Sequence, residues 1–310
     1  MMPNYRHLLS TCLLAISVAA SGLAHANCED LAKGFKDAVP KRADYVNIVG
    51  QDFDTVLERG YITFAVYEDF APYSWKSGTE AKGIDIDIAK VIAEEMGVEA
   101  KFNFFASDEN VDADFRNQVW RGGLINGEVS NIMMHAPYNK DLQCRNEFVV
   151  LGGQYFNETL ATAYRIDAFP DGVPTTPYYR FHKVGVENDT ISAFYLANFN
   201  GGMLMKNVIH YPDHQAAFRG LLDKQVDAVM GVKGKLEYMV QSNDTEEKVA
   251  VDTPPLVNFS LNEWTIGIAV NFRYREIYYT ADGVIEDMVK DGRMKKVFEK
   301  YQVSYTKPDY

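Results

Sequence analysis

The chain has 310 residues, of which 24% are charged, and a formal net charge of −12. Forty-three acidic side chains against thirty-one basic ones, with no Lys/Arg cluster, exclude phosphate backbones and anionic lipid surfaces as partners, so nucleic acid is not what it binds. A chain of this length can bury one large core or two medium ones, and lengths near this are often split between two lobes.

Arg6 and His7 precede the apolar run Leu8 to Leu23, which Ser, Thr and Gly interrupt. The run is too short and too broken for a permanent membrane span, and no later run approaches spanning length. Ala24-His25-Ala26 places small residues at the positions a signal peptidase reads, so residues 1–26 are expected to be a cleaved signal peptide and the remainder a periplasmic, not membrane-embedded protein. Asn27 before Cys28 departs from the lipid-anchor pattern. Cleavage removes Cys12 and leaves Cys28 and Cys144 in an oxidising compartment, either as a disulfide or as two thiols. A bond between them would close a long loop and stabilise the fold by about 4 kcal/mol in the chain-entropy description.

Residues 27–57 read as a short helical extension, ended by the turn Glu58-Arg59-Gly60. Alternation in Tyr61 to Val66 predicts the first strand, and Gly83-Ile84-Asp85 opens a helix with Ile88, Val91, Ile92 and Met96 on one face, stopped by Gly97. A strand over Ala100 to Phe105 completes a βαβ unit. Phe115 to Gly122 reads as helix, Val129 to Met134 as a short apolar strand, and Phe156 to Tyr164 as an extended crossing between lobes. The pattern recurs with a strand start at Lys183 to Val186, a helix capped by Thr190 or Ser192, and a helix capped by Asp213 that carries Ala217 and Leu221. A strand follows at Val226 to Met230. Trp264 to Val270 is a strong strand, and Met294, Val297, Phe298 and Tyr301 line a final helix that returns to the first lobe. The expected class is α/β, with a first lobe over 58–160, a second over 161–262, and 263–310 crossing back.

The run "ERGYITFAVYEDFAPYSWKSGTEAKGIDIDIAKVIAEEMG" at 58–97 resembles the opening of family 3 extracellular solute-binding proteins, receptors of polar amino-acid ABC importers. "KVGVENDTISAFYL" at 183–196, "AFRGLLDKQVDAVMG" at 217–231 and "IEDMVKDGRMKKVFEKYQV" at 285–303 are similar to later blocks of that family. The resemblance implies a type II periplasmic-binding-protein fold, two lobes of mainly parallel sheet flanked by helices, that closes on a small-molecule ligand and docks on an ABC permease. It also implies an arginine after the strand at 129–134 for a ligand carboxylate, and an acid after "VDAV" for a ligand ammonium. This chain has Lys140 and Asp141 near the first place, with Arg145 several residues late, and Met230-Gly231-Val232-Lys233 at the second. The blocks "DFRNQVWRGGL" at 114–124 and "IMMHAPYNKDL" at 132–142 are similar to a subgroup associated with quinoprotein alcohol dehydrogenases, including the J-type accessory proteins of methanol oxidation. That narrower resemblance implies a PQQ quinoprotein dehydrogenase as the alternative partner.

Loops after strand ends carry ligand contacts in open α/β sheets. Phe70, Tyr73 and Trp75 follow the first strand and can stack on an organic ligand or pack between lobes. Asp85 reads as a helix cap or a hydrogen-bonding group of the cleft, the cap being favoured. His135, placed just past the strand expected at 129–134, is the histidine best positioned to face the cleft, as a donor to a ligand oxygen or a pH-responsive group or else as a structural residue, with Tyr138 and Asn139 on the same loop after Pro137. Across the cleft the N–H groups of Thr190, Ile191 and Ser192 form an anion site or a simple cap. There is no nucleophile elbow, HExxH, P-loop or dinucleotide fingerprint, so neither an enzyme nor a bound cofactor or metal is expected. The enzymatic alternative is a periplasmic dehydratase on this fold, with His135 and Glu68 or Asp69 as acid and base.

Overall fold

The computed structural model describes residues 51–123, 127–257, 259 and 262–309. The signal peptide expected at 1–26, most of the extension expected at 27–57, and Cys28 lie outside the described residues. Cys144 is disulfide-bonded. Within the expected extension the helix α1 (Phe53–Arg59) is present, capped by the Asp52 carboxylate on the N–H of Thr55 and ended by Gly60 at φ 74°. A left-handed φ favours glycine because it has no Cβ to clash.

The first lobe grows from β1 (Tyr61–Tyr67), which pairs in parallel with β4 (Glu99–Phe105) on one side and β5 (Ile132–Tyr138) on the other. A small hairpin of β2 (Trp75–Ser77) and β3 (Glu80–Lys82) follows β1 and leads to helix α2 (Ile84–Glu95). Ile84, Ile88 and Ile92, four residues apart, share one buried helical face and pack over the sheet. After β4 comes the short α3 (Val111–Phe115), which runs directly into a π-helical turn over Arg116–Trp120. Helix α4 (Lys140–Arg145) follows β5.

Strand β6 (Val149–Arg165) is seventeen residues long and belongs to both lobes. Residues 149–159 pair antiparallel with β11 (Glu263–Asn271), which also pairs with β5. Residues 160–165 pair instead with β9 (Ala228–Val232) and β10 (Val249–Asp252). The crossing expected at 156–164 is therefore the second half of a longer strand. β7 (Val184–Glu187) and β8 (Val208–Tyr211) complete the second lobe, giving the order β4-β1-β5-β11-β6-β9-β7-β8 with β10 beside β6.

Helices cover both faces of each lobe. On one face of the first lobe, α2, α8 (Arg275–Asp291) and α9 (Arg293–Lys300) bury Ile84, Ile277, Met288 and Phe298; on the other, Phe115, Val119 and Leu142 pack against Ala65 and Met133. In the second lobe, α5 (Ile191–Asn198) covers one face through Leu196, and α6 (His214–Leu222) with α7 (Lys233–Ser242) covers the other through Phe218 and Leu236. Burying both faces explains why the central strands read as apolar runs.

Two strand bounds differ from the sequence reading in ways that matter below. The strand expected at 129–134 runs over Ile132–Tyr138, so His135 stands inside it and not after its end. The strand expected at 226–230 is Ala228–Val232, which puts Lys233 at the first position of α7. In both cases the strand continues because the opposite strand completes the ladder: Ala136 and Pro137 pair with Gly267 and Ile266, and Val232 pairs with Leu160.

Candidate functional site between the lobes

The loop leaving β1 reaches toward the second lobe. Phe70 closes a short bridge with Ser74, and Asp69 sits at φ 50°, a left-handed conformation that few residues other than Gly, Asn and Asp adopt. The Tyr73 carbonyl would lie 2.0 Å from any Cβ at position 83, and Gly83 has φ 134°, so only glycine lets the loop lie against the start of α2. The Phe70 ring lies 5.3 Å from that of Tyr73 and 4.9 Å, edge-on, from the His135 imidazole. Tyr73 is fully buried, and its hydroxyl donates to the buried carboxylate of Glu158 on β6.

His135, at φ 58° within β5, turns its ring toward α2, where Nδ1 meets Asp85 at 3.1 Å. Asp85 is buried in the first turn of α2, accepts from the Tyr155 hydroxyl at 2.6 Å, and is not the cap; Gly83 occupies that position. The Tyr155 hydroxyl in turn accepts from the His135 N–H at 3.1 Å. Burial pushes the Tyr73 and Tyr155 phenols well above their usual range, so both stay protonated as donors. The imidazole is thus engaged by Asp85, whereas Glu68 and Asp69, the bases considered for a dehydratase, are exposed.

A cavity of about 800 Å³ lies between the lobes. The first lobe contributes Asp69, Ala71 and Trp75; the second contributes Glu187 from the end of β7, Asp213 and His214 from the start of α6, and Lys235 and Tyr238 from α7. Trp75 touches Tyr238 across the gap at a ring distance of 5.8 Å. His214 Nδ1 bonds the Glu187 carboxylate. Burial lowers the His214 pKa against the pull of Glu187. Burial also raises Glu187, but the His214 hydrogen bond and the Lys235 charge outweigh it and leave Glu187 lowered. Lys235 holds its ammonium 4.1 Å from the centre of the Phe70 ring, a cation–π contact between lobes.

Of the residues singled out in the sequence, the structure brings together Phe70, Tyr73, Asp85 and His135, with Trp75 on the cavity wall. Tyr138 instead lines a separate hollow of about 260 Å³ against α8, and Asn139 caps α4 by accepting from the Leu142 N–H. Thr190 caps α5, accepting from the Ala193 N–H while donating to the Glu187 carbonyl, and Ser192 is buried; neither lines the cavity. Sequence reasoning missed Glu158, Glu187, His214 and Lys235. Glu158 carried a signal, a lone carboxylate within the apolar run Val149 to Tyr164. Among the described residues no group of three or more metal-ligating side chains occurs, and no helix is long and apolar enough to cross a membrane.

This is a two-lobed type II periplasmic-binding-protein fold with a cleft between its lobes. Residues 62–118, from β1 into the π-helical turn that follows α3, match the bacterial extracellular solute-binding proteins, family 3. An ancestral cationic amino acid solute-binding protein superposes with a TM-score of 0.65 at 21% identity, over 81% of this chain and 99% of that one. An amino acid ABC transporter substrate-binding protein from Streptococcus pneumoniae, bound to L-arginine, gives 0.59 at 16% identity, over 83% and 100%. An ancestral amino acid-binding protein described as a precursor of cyclohexadienyl dehydratase gives 0.58 at 20% identity, over 81% and 98%. A comparison with curated protein sequences finds no match.

Proposed function

We propose that this protein is a periplasmic receptor that captures a small polar or organic solute between its lobes and presents it to an ABC permease, without catalysing a reaction. The observation that carries this reading is the cavity of about 800 Å³ walled by side chains of both lobes. A cavity built this way couples ligand binding to lobe closure, because the solute contacts both walls only when they approach. His135 is not among the residues that line the cavity and is bonded to Asp85 and not to Glu68 or Asp69, which speaks against the acid–base pair considered for a dehydratase. The test is mass spectrometry of natively purified protein before and after denaturation. A small molecule released on denaturation supports the receptor; no release, together with no binding of any offered solute, overturns it.

One observation favours a protein partner, as in the accessory-protein reading, where the sequence resemblance implies a quinoprotein dehydrogenase. Phe181, Phe194, Met203 and Met205 are exposed on the second lobe, Phe181 to 81%, while Tyr179, Leu196 and Leu204 from the same segments are buried in that lobe's core. Apolar side chains exposed in this way are suited to contact with another protein. Retention of a quinoprotein subunit on the tagged protein from its source cells, with an empty cleft, would select this reading.

A further inference from the structure

The charges of the cleft run opposite to the arrangement that the family resemblance implies. That arrangement holds a ligand carboxylate with a guanidinium after β5 and a ligand ammonium with an acid after β9. Here the first cation after β5 is Lys140, exposed on α4, and the cations that line the cavity are Lys235, just after β9, and the exposed Arg219 on α6. The acid on the first-lobe wall is Asp69. We propose that the cleft binds an organic monocarboxylate, its carboxylate held by the Lys235 ammonium and its apolar body laid along Trp75 and Tyr238. The proposal rests on the receptor reading above.

The Lys235 ammonium carries three donors and, among the described residues, makes no hydrogen bond and no ion pair; its one close partner is the face of Phe70. The neighbouring carboxylates are already engaged. Glu187 is bonded by His214, and Asp213 accepts from the Ala216 N–H at 2.6 Å as the cap of α6. Burial lowers the Lys235 pKa, opposed by Glu187, Glu158 and Asp213, as expected for an ammonium that has lost water without gaining a contact anion. A ligand carboxylate supplies that anion in a partly dehydrated site, where a charge-assisted hydrogen bond is strong. The same wall limits the ligand's charge. Asp69, Glu187 and Asp213 line the cavity against Lys235 and the exposed Arg219, so with Lys235 neutralised by the first carboxylate three acids outweigh one remaining cation and a second anionic group is disfavoured.

The experiment is calorimetric titration of the full mature chain, stripped of any solute, with butyrate, benzoate, the primary amides of both acids, and succinate. At least one monocarboxylate is expected to bind, its amide to bind at least tenfold more weakly, and succinate to bind more weakly than butyrate. Lys235→Gln is expected to lose about 30-fold in affinity for the carboxylate at an unchanged unfolding midpoint. The comparison of acid with amide uses the wild-type protein, so it stands even if the variant fails to fold. Equal binding of acid and amide, tighter binding of succinate, or full affinity in Lys235→Gln overturns the proposal. A neutral or cationic solute released from the native protein overturns it while leaving the receptor reading intact, whereas an empty protein that binds none of the probes overturns both.

Discussion

The hydroxyl of Tyr73, on the loop that leaves β1, donates to the buried carboxylate of Glu158 on the strand shared by the two lobes. Gly234, in the first turn of the second-lobe helix α7, closes against that same hydroxyl. Three elements from both sides of the cleft thus meet at one buried acid.

Burial pushes Glu158 up to about 7 from 4.5, although hydrogen bonds from Tyr73 and the Thr159 N–H, and the nearby His135, pull it down. A carboxyl whose folded pKa is raised favours the folded state at low pH, and that contribution is lost as pH rises from about 4.5 through about 7. The stability difference between wild type and Glu158→Gln should therefore change by about 2 to 3 kcal/mol between pH 5 and pH 8, in favour of the variant at pH 8. Urea unfolding at the two pH values measures it. A constant difference would mean that Glu158 titrates normally in the folded protein.

Tyr155 holds Asp85 and the His135 N–H in one buried network. Tyr155→Phe leaves a buried carboxylate oxygen without its hydroxyl donor and a buried N–H without its acceptor. The cost is expected to be about 2 to 4 kcal/mol, since each orphaned buried group costs about 1 to 3 kcal/mol. Chemical denaturation with an unchanged slope and a lower midpoint is the expected result. A midpoint within error of wild type would show that water replaces the hydroxyl.

The fold was largely legible in the sequence because its evidence is periodic. Ile84, Ile88 and Ile92 mark a helix face, alternation from Tyr61 to Val66 marks a strand, and Asp213 and Thr190 cap the helices they precede. The site was legible only in part, because side-chain direction depends on local backbone and on distant strands. His135 was noticed, but its left-handed φ turns the ring toward Asp85, and nothing in the spacing of residues 85 and 135 shows that they meet. Tyr138 and Asn139 follow His135 closely in sequence, yet continuation of β5 to Tyr138 carries both away from the cleft. Lys235 carries no signal of its own in the sequence, because a strand ending at 230 puts Lys233, two residues nearer, beside the cleft. The true end at Val232 and the first turn of α7 bring position 235 to the cavity.

Gly234 tests how closely the lobes must approach. A Cβ there would lie 2.2 Å from the Tyr73 hydroxyl and 3.2 Å from Val303. The tyrosine is fully buried among Phe70, His135 and Phe156 and has little room to retreat. Gly234→Ala is expected to displace Tyr73 from Glu158 and lower stability by about 1 to 3 kcal/mol through overpacking. The radius of gyration from small-angle scattering should also rise, as the lobes part at this contact. An unchanged radius with unchanged stability would show that Tyr73 can move without parting them.

Phe70 is where the first lobe touches the Lys235 ammonium, and its ring also packs on Tyr67, Tyr73 and His135 at centroid distances of 5.5, 5.3 and 4.9 Å. Removing it withdraws a cation–π contact of about 1 kcal/mol and the surface that steers the ammonium toward the cavity. Phe70→Ala should therefore weaken binding of the solute released from the native protein by about tenfold. Because Phe70 is only partly buried, the fold should survive, with an expected loss of about 1 to 2 kcal/mol and unchanged far-ultraviolet circular dichroism. Titration of wild type and variant with that same solute gives the comparison. Full affinity in Phe70→Ala would place the solute away from this wall; weakened affinity with an intact fold would fix Phe70 as the first-lobe contact that orders the cation for its ligand.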